Sequence, residues 1–310
     1  MINPARISES SGQILKNTFI TKDGTHLPLK VWQPPNQKIN SIIIALHGFN
    51  DYSNFFQRSG EYFRQQNILS YAYDQRGFGG SPNMGLWAGV DTYIWDLECF
   101  IQLIAIKHPG VPIYLLGESM GGAVVISTVT EFNDLPIDGI ILSAPAVWAR
   151  ETMPWYQNVL LWTLSHTVPW LSLSGNGLGI KPSDNIEMLK SLGKDPLVIK
   201  ETRVDTIFGL TNLMDKAYYS ANLISTNTLL LYGEKDEIIP KKPTQEFLNN
   251  LNNIESIPHS IAFYQNGYHM LLRDLQASIL WDDIASWVSS YDTPLPSGAD
   301  KRVQQLLSID

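Results

Sequence analysis

The chain has 310 residues, 44 % hydrophobic and 17 % charged, with a formal net charge of −8; this suits a globular protein with a sizeable core and excludes a disordered one. With no run of Lys/Arg there is no basic face for nucleic acid, and a single cysteine, Cys99, excludes a disulfide framework and a Cys-rich metal site. Residues 1–10 lack the apolar core of a signal peptide and no run of 18 apolar residues occurs, so a soluble cytoplasmic protein is the expectation.

The spacing predicts strands over 18–22 and 27–33 around the turn signal Asp23-Gly24. The run S-I-I-I-A-L at 41–46 reads as a strand buried on both faces, ending at His47-Gly48. A helix over 53–66, a strand over 68–73 and a helix over 91–107 follow. Then come a strand over 112–116, a helix over 120–132 and a strand over 139–142. The rhythm returns with strand 228–232, helix 243–250, strand 260–264 and helix 271–289. Alternating strands and helices with apolar strands predict an α/β fold, a mostly parallel sheet covered by helices on both faces.

The stretch 147–225 interrupts this pattern. It holds Trp148, Trp155, Trp162 and Trp170 among prolines and glycines, and reads as short helices forming a cap inserted between core segments 1–146 and 226–293. The polar tail 294–310 is expected to be partly flexible, with Leu306 and Leu307 as docking points.

Between the strand and helix flanking residue 119 the chain reads Gly117-Glu118-Ser119-Met120-Gly121. A sharp strand-to-helix turn needs glycines on either side of the turn residue, whose side chain then projects from the sheet edge beside a helix N-terminus. A serine there is a nucleophile only with a base, so a carboxylate and then a histidine must follow, each after a later strand. Of the later histidines, His166 falls in the cap and His259 at the near end of a strand; His269, in Asn266-Gly267-Tyr268-His269, is at the right end. Strand 228–232 runs into Gly233-Glu234-Lys235-Asp236, whose spacing carries Asp236 round the turn; Glu234 and Glu237 read as solvated acids. The oxyanion donors are expected to be the N–H groups of Met120 and Phe49, with His47 holding the Phe49 loop in place.

These segments resemble the α/β-hydrolase superfamily, and within it the monoacylglycerol lipase and lysophospholipase-like branch that groups with serine aminopeptidase-type hydrolases. The matching pieces are T-K-D-G-T-H-L-P-L-K-V-W, L-H-G-F, D-Q-R-G-F-G-G-S, G-E-S-M-G-G, L-Y-G-E-K-D-E-I-I-P and G-Y-H, across roughly residues 18 to 290. Three positions depart from the branch: Glu118 stands where a histidine is common, the loop after His47 reads G-F-N-D-Y-S, and Phe78 replaces the histidine of Arg-Gly-His-Gly. The Glu118 carboxylate is read as a salt-bridge partner, and Asp74 and Arg76 as parts of a structural turn.

The resemblance implies a serine esterase acting on apolar or lipid-like acyl groups through Ser119, Asp236 and His269, with no metal or organic cofactor. The cap tryptophans Trp148, Trp155, Trp162 and Trp170 are candidate substrate contacts, or a surface for passing contact with a membrane or micelle. Two alternatives stay open. One is a peptidase or amidase of the same fold, whose substrate amine Asp184, Glu187, Asp195 or Asp205 would bind; the other is a non-catalytic ligand-binding protein.

Overall fold

The computed structural model describes residues 12–175, 177, 179–252 and 259–302. Leu306 and Leu307, the docking points expected in the tail, lie outside the described residues. Eleven strands and eight α-helices are described. In chain order they are β1 (Gln13–Leu15), β2 (Thr18–Ile20), β3 (His26–Trp32), β4 (Ser41–Leu46), α1 (Gln57–Gln65), β5 (Ile68–Tyr73), α2 (Val90–Lys107), β6 (Ile113–Glu118), α3 (Met120–Glu131) and β7 (Gly139–Ser143). The interrupting stretch supplies α4 (Trp155–Thr167), β8 (Ser172–Ser174), α5 (Ile186–Lys194), β9 (Glu201–Arg203) and α6 (Val204–Tyr219). The chain closes with β10 (Thr228–Gly233), α7 (Lys241–Asn252), β11 (His259–Tyr264) and α8 (Ala277–Ser289).

Nine strands form one sheet in the order β1-β2-β3-β5-β4-β6-β7-β10-β11. From β5 to β11 all neighbours are parallel, and the β1–β2–β3 edge is antiparallel. The run S-I-I-I-A-L is apolar at successive positions because β4 is central. Ile42, Ile44 and Leu46 join the core on one face, with Phe100 of α2 and Val124 of α3. Ile43 and Ala45 join the other, with Phe63 of α1 and Leu280 of α8. An α/β-hydrolase architecture, a mostly parallel sheet between helical layers with further helical elements inserted, is therefore present.

Four details differ from the expectations. A short strand, β1, precedes the first predicted one. The helix expected over 53–66 begins as a 3₁₀ turn, Ser53–Phe56, before α1. The helix expected over 271–289 is a 3₁₀ turn, Leu271–Arg273, then a break, then α8; Asp274 bends the chain there because its carboxylate accepts from Tyr268 N (2.8 Å) and Ser183 Oγ (2.6 Å). The stretch 147–225, read as helices alone, also contains the antiparallel pair β8–β9. Its last helix, α6, packs on α3 and buries Leu213, Met214 and Ala217 in the main core. The tail is packed as far as it is described, with Leu295 and Ala299 buried against the second core. Among the described residues no helix is long and apolar enough to cross a membrane.

The chain runs from β4 to β5 on one side and then crosses to β6 on the other. Loops leaving β4 and β6 therefore diverge, and an open sheet forms its binding crevice where they part, at the carboxyl ends of these strands.

Candidate active site

Ser119 occupies the single position between β6 and α3, with φ 53° and ψ −115°. An L-residue avoids this region, so the surrounding structure must hold it there. Its backbone is pinned on three sides: Ser119 N donates to Ser143 O (3.0 Å), and Ser119 O accepts from Ala123 N (3.2 Å) and Ala146 N (3.0 Å). The flanking glycines are required by contact. A Cβ on Gly117 would lie 2.4 Å from Gly121 O, and one on Gly121 would lie 2.3 Å from Leu46 O. Helix α3 thus starts in direct backbone contact with the end of β4.

That contact brings the loop after β4 beside the serine. A Cβ on Gly48 would sit 3.3 Å from Ser119 Cβ. His47 is buried and spans the loop: its Nδ1–H donates to Gly48 O (2.8 Å), and its Nε2 accepts from Gln75 N (2.9 Å). Burial lowers its pKa, so the ring is neutral and both nitrogens are occupied, as a loop brace requires. Among the described residues neither Phe49 N nor Met120 N donates to a protein acceptor. Two free donors therefore flank the serine turn, one from each diverging loop.

Asp236 and His269 meet at the same end of the sheet. Their loops touch backbone to backbone: a Cβ on Gly233 would lie 2.5 Å from Gly267 O, and Lys235 N donates to Gly267 O (3.0 Å). His269 Nδ1–H donates to Asp236 Oδ2 at 2.8 Å, with both side chains buried. Asp236 Oδ1 is held by Ile238 N (2.7 Å) and Ile239 N (3.1 Å). With Nδ1 committed, Nε2 is the ring's free acceptor. Burial pulls the His269 pKa down, but the charge and hydrogen bond of Asp236, with the charge of Glu118, outweigh it. The pKa ends above the ordinary value although Arg273 opposes the shift.

Other expected residues are placed as follows. Glu118 is buried, and its Oε1 accepts from Arg273 Nη2 (2.6 Å). Asp74 accepts from Ser53 N (2.9 Å) and Gly80 N (2.8 Å), holding a turn. Arg76 bonds both oxygens of Asp96 and reaches Asp23, Thr21 and Thr25, tying the β2–β3 turn to α2. His166 stacks on Trp162 in the exposed α4 (ring centroids 4.5 Å apart). The four tryptophans are not gathered: Trp148 packs on the main core, whereas Trp155, Trp162 and Trp170 are 76 %, 58 % and 64 % exposed. A cavity of about 410 Å³, lined by Asn266, Asp282 and Arg302 among others, lies between β11, α8 and the C-terminal turn and includes neither Ser119 nor His269.

Sequence reasoning missed the contacts that fasten the inserted stretch to these loops. Tyr52 Oη donates to Asp195 Oδ2 (2.7 Å), Asn50 Nδ2 to Thr202 Oγ1 (2.7 Å), and Asn185 Nδ2 to Arg273 O (2.9 Å). It also missed Arg273, which bridges Asp51 and Glu118. A basic residue four positions after His269 was the one available signal, and only the folded chain shows where it points.

The sequence model of the family described as serine aminopeptidase, S33 matches residues 37–276. The chain is 23 % identical to a monoacylglycerol lipase of Mycolicibacterium smegmatis, over 89 % of this chain and 97 % of that protein. It is 23 % identical to the human monoglyceride lipase, over 87 % and 89 %. Among solved structures it resembles a Paleococcus ferrophilus monoacylglycerol lipase (TM-score 0.71, 24 % identity, 86 % of this chain and 99 % of that one). It also resembles a soluble variant of the Saccharomyces cerevisiae monoglyceride lipase in complex with a substrate analogue (TM-score 0.73, 18 % identity, 92 % and 96 %).

Proposed function

Because this chain belongs to the serine aminopeptidase S33 family of α/β-hydrolases, we propose that it cleaves carboxylic esters carrying apolar or lipid-like acyl chains, of the monoacylglycerol or lysophospholipid kind, through an acyl-serine. One observation carries this reading: the buried His269–Asp236 hydrogen bond, which leaves Nε2 as an acceptor at the end of the sheet where the β6–α3 turn holds Ser119 in its strained backbone conformation.

In this reading Ser119 Oγ attacks the ester carbonyl while His269 Nε2 takes its proton. Asp236 fixes the ring tautomer and supports the imidazolium. The oxyanion is received by the N–H groups of Phe49 and Met120. His269 then protonates the leaving alcohol, and water activated by the same ring releases the acid. Every step uses side chains or backbone of this chain.

The exposed apolar side chains of α4 and the segment after it, Trp155, Leu160, Trp162 and Trp170, support transient contact with a lipid or micelle surface during substrate uptake. The aminopeptidase reading is weaker. The four acids available for a peptide amine already have partners: Asp184 accepts from Leu275 N, Glu187 pairs with Lys190, Asp195 accepts from Tyr52, and Asp205 pairs with Arg203.

The test is hydrolysis of p-nitrophenyl esters from acetyl to palmitoyl, with Ser119→Ala alongside. Turnover by wild type and background rates in the variant are expected, with the chain-length optimum reporting pocket depth. Equal activity in both proteins would remove Ser119 as the nucleophile, and equal inertness across the series would remove the ester reading.

A further inference from the structure

Three loops must keep register for the proposed chemistry: the loop after β4 with Phe49, the β6–α3 turn with Ser119, and the β11–α8 connection with His269. One cation touches all three. Arg273 Nη1 donates to Asp51 Oδ2, and Nη2 donates to Glu118 Oε1, each at 2.6 Å. Asp51 is two residues past Phe49, Glu118 immediately precedes Ser119, and Arg273 is four residues past His269. All three side chains are almost wholly buried.

We propose that Arg273 is a positioning residue of the hydrolytic centre, holding the oxyanion loop and the serine turn against the loop that carries His269 through two separate guanidinium nitrogens. This rests on the esterase reading above.

The local bonding fits that role. The Arg273 backbone is fixed one turn past His269, with its N–H donating to Met270 O (2.9 Å) and its C=O accepting from Asn185 Nδ2 (2.9 Å). The other oxygen of Asp51 accepts from Tyr52 N (2.8 Å), so that carboxylate is held within its own loop. The Phe55 ring covers the guanidinium at 5.9 Å. The network is not built for maximum hydrogen bonding: among the described residues Arg273 Nε and Glu118 Oε2 are buried without partners. Buried charges left partly unsatisfied are a poor device for stability alone, and an apolar trio would serve a purely structural purpose better.

The charges also face the catalytic imidazole. Around His269 stand Asp236 from the loop after β10, Glu118 from the end of β6 and Arg273 from its own connection, with Asp51 bound to the other terminal nitrogen of the guanidinium. Glu118 favours the protonated ring and Arg273 disfavours it. A second carboxylate thus helps the ring accept the serine proton, and the arginine keeps that carboxylate in place. Burial holds the pKa of Glu118 above its ordinary value, and the charge and hydrogen bond of Arg273 oppose that rise. Lysine would not reproduce the arrangement, because a single ammonium cannot present two fixed donors to carboxylates on separate loops.

The experiment compares wild type, Glu118→Gln and Arg273→Lys by kcat and KM on p-nitrophenyl butyrate across pH, with circular dichroism and thermal melts as folding controls. Glu118→Gln keeps an acceptor for Nη2 and is expected to fold. Its acid limb of kcat/KM should move to lower pH by roughly half a unit or more. Arg273→Lys should lower kcat about ten- to a hundredfold with little change in KM. A merely structural role would leave the acid limb where it was. An unmoved limb in Glu118→Gln, or kcat within about twofold of wild type in a folded Arg273→Lys, overturns the proposal. Should Arg273→Lys fail to fold, the Glu118→Gln profile decides the matter by itself. Fluorophosphonate labelling of wild type separates the two levels. No label on Ser119 overturns the esterase reading and this inference with it, whereas label on Ser119 with unchanged variants overturns this inference alone.

Discussion

Asp236 and His269 show how much a single side-chain pair determines. The pKa of His269 is raised above its ordinary value of 6.5, because Asp236 and Glu118 together outweigh burial. In the proposed reaction His269 is the general base and must be unprotonated to act, so activity should fall as pH drops through this raised value and recover above it. The acid limb of kcat/KM is therefore expected above pH 6.5, as a pH–rate profile on a soluble ester would show. Asp236→Asn should lower kcat by about 10³–10⁴-fold, because an amide no longer fixes the tautomer or supports the imidazolium. The same substitution should also move the acid limb downward. His47 is the contrasting case. It precedes the Phe49 loop in sequence, but both its nitrogens are occupied by backbone groups and burial keeps it neutral.

The packing of elements explains which glycines matter. Gly121 holds α3 against β4 with backbone in contact, and nothing flexible can yield there. Gly121→Ala should cost about 1–3 kcal/mol or more, read as a lower urea midpoint. Gly175 has no atom within 4 Å of an added Cβ, so Gly175→Ala should change the midpoint by less than about 0.5 kcal/mol. The two substitutions are chemically identical and differ only in what surrounds them. The break between the Leu271–Arg273 turn and α8 belongs to this scale too. Periodicity runs through it without a signal, because the cause is Asp274 bonding Ser183 from the inserted stretch. That break leaves Arg273 in a short turn beside the serine loop instead of midway along a helix.

Across the whole molecule, the sheet brings Ser119, Asp236 and His269 to one end, and part of the inserted stretch is fastened to the loops there. The switch between β4 and β6 parts two loops, and the next strands in that direction, β7, β10 and β11, deliver Asp236 and His269 to the same edge. The inserted stretch divides in two. Residues 181–203 are hydrogen-bonded to the segments that follow β4, β10 and β11, whereas α4 buries none of its side chains. With a net charge of −8, attraction to anionic lipid is disfavoured, so any surface contact must be apolar. Replacing Trp155, Trp162 and Trp170 together by serine should leave hydrolysis of a soluble short-chain ester within about threefold of wild type. The same variant should lose most of its vesicle binding in a flotation assay and most of its rate on emulsified substrate, since each exposed indole removes a large apolar contact. An equal loss on both substrates would place these residues in catalysis or folding instead.

The sequence by itself determined the alternation of strands and helices, the buried run at 41–46, the serine turn and the chain order of serine, acid and histidine. These features are local: a period, a turn chemistry or a spacing is set by neighbours along the chain, so one dimension suffices to see it. It also carried the family resemblance, because six short motifs kept their order. Tertiary structure alone decided that Asp236 and His269 are joined, that Gly48 and Gly121 press two loops together, and that Arg273 reaches both Asp51 and Glu118. It also decided which part of the inserted stretch is clamped and which stands in solvent. Those relations join residues up to 222 positions apart, as Asp51 and Arg273 are. No periodicity records them, because they arise only when burial brings distant backbone and charge within bonding distance.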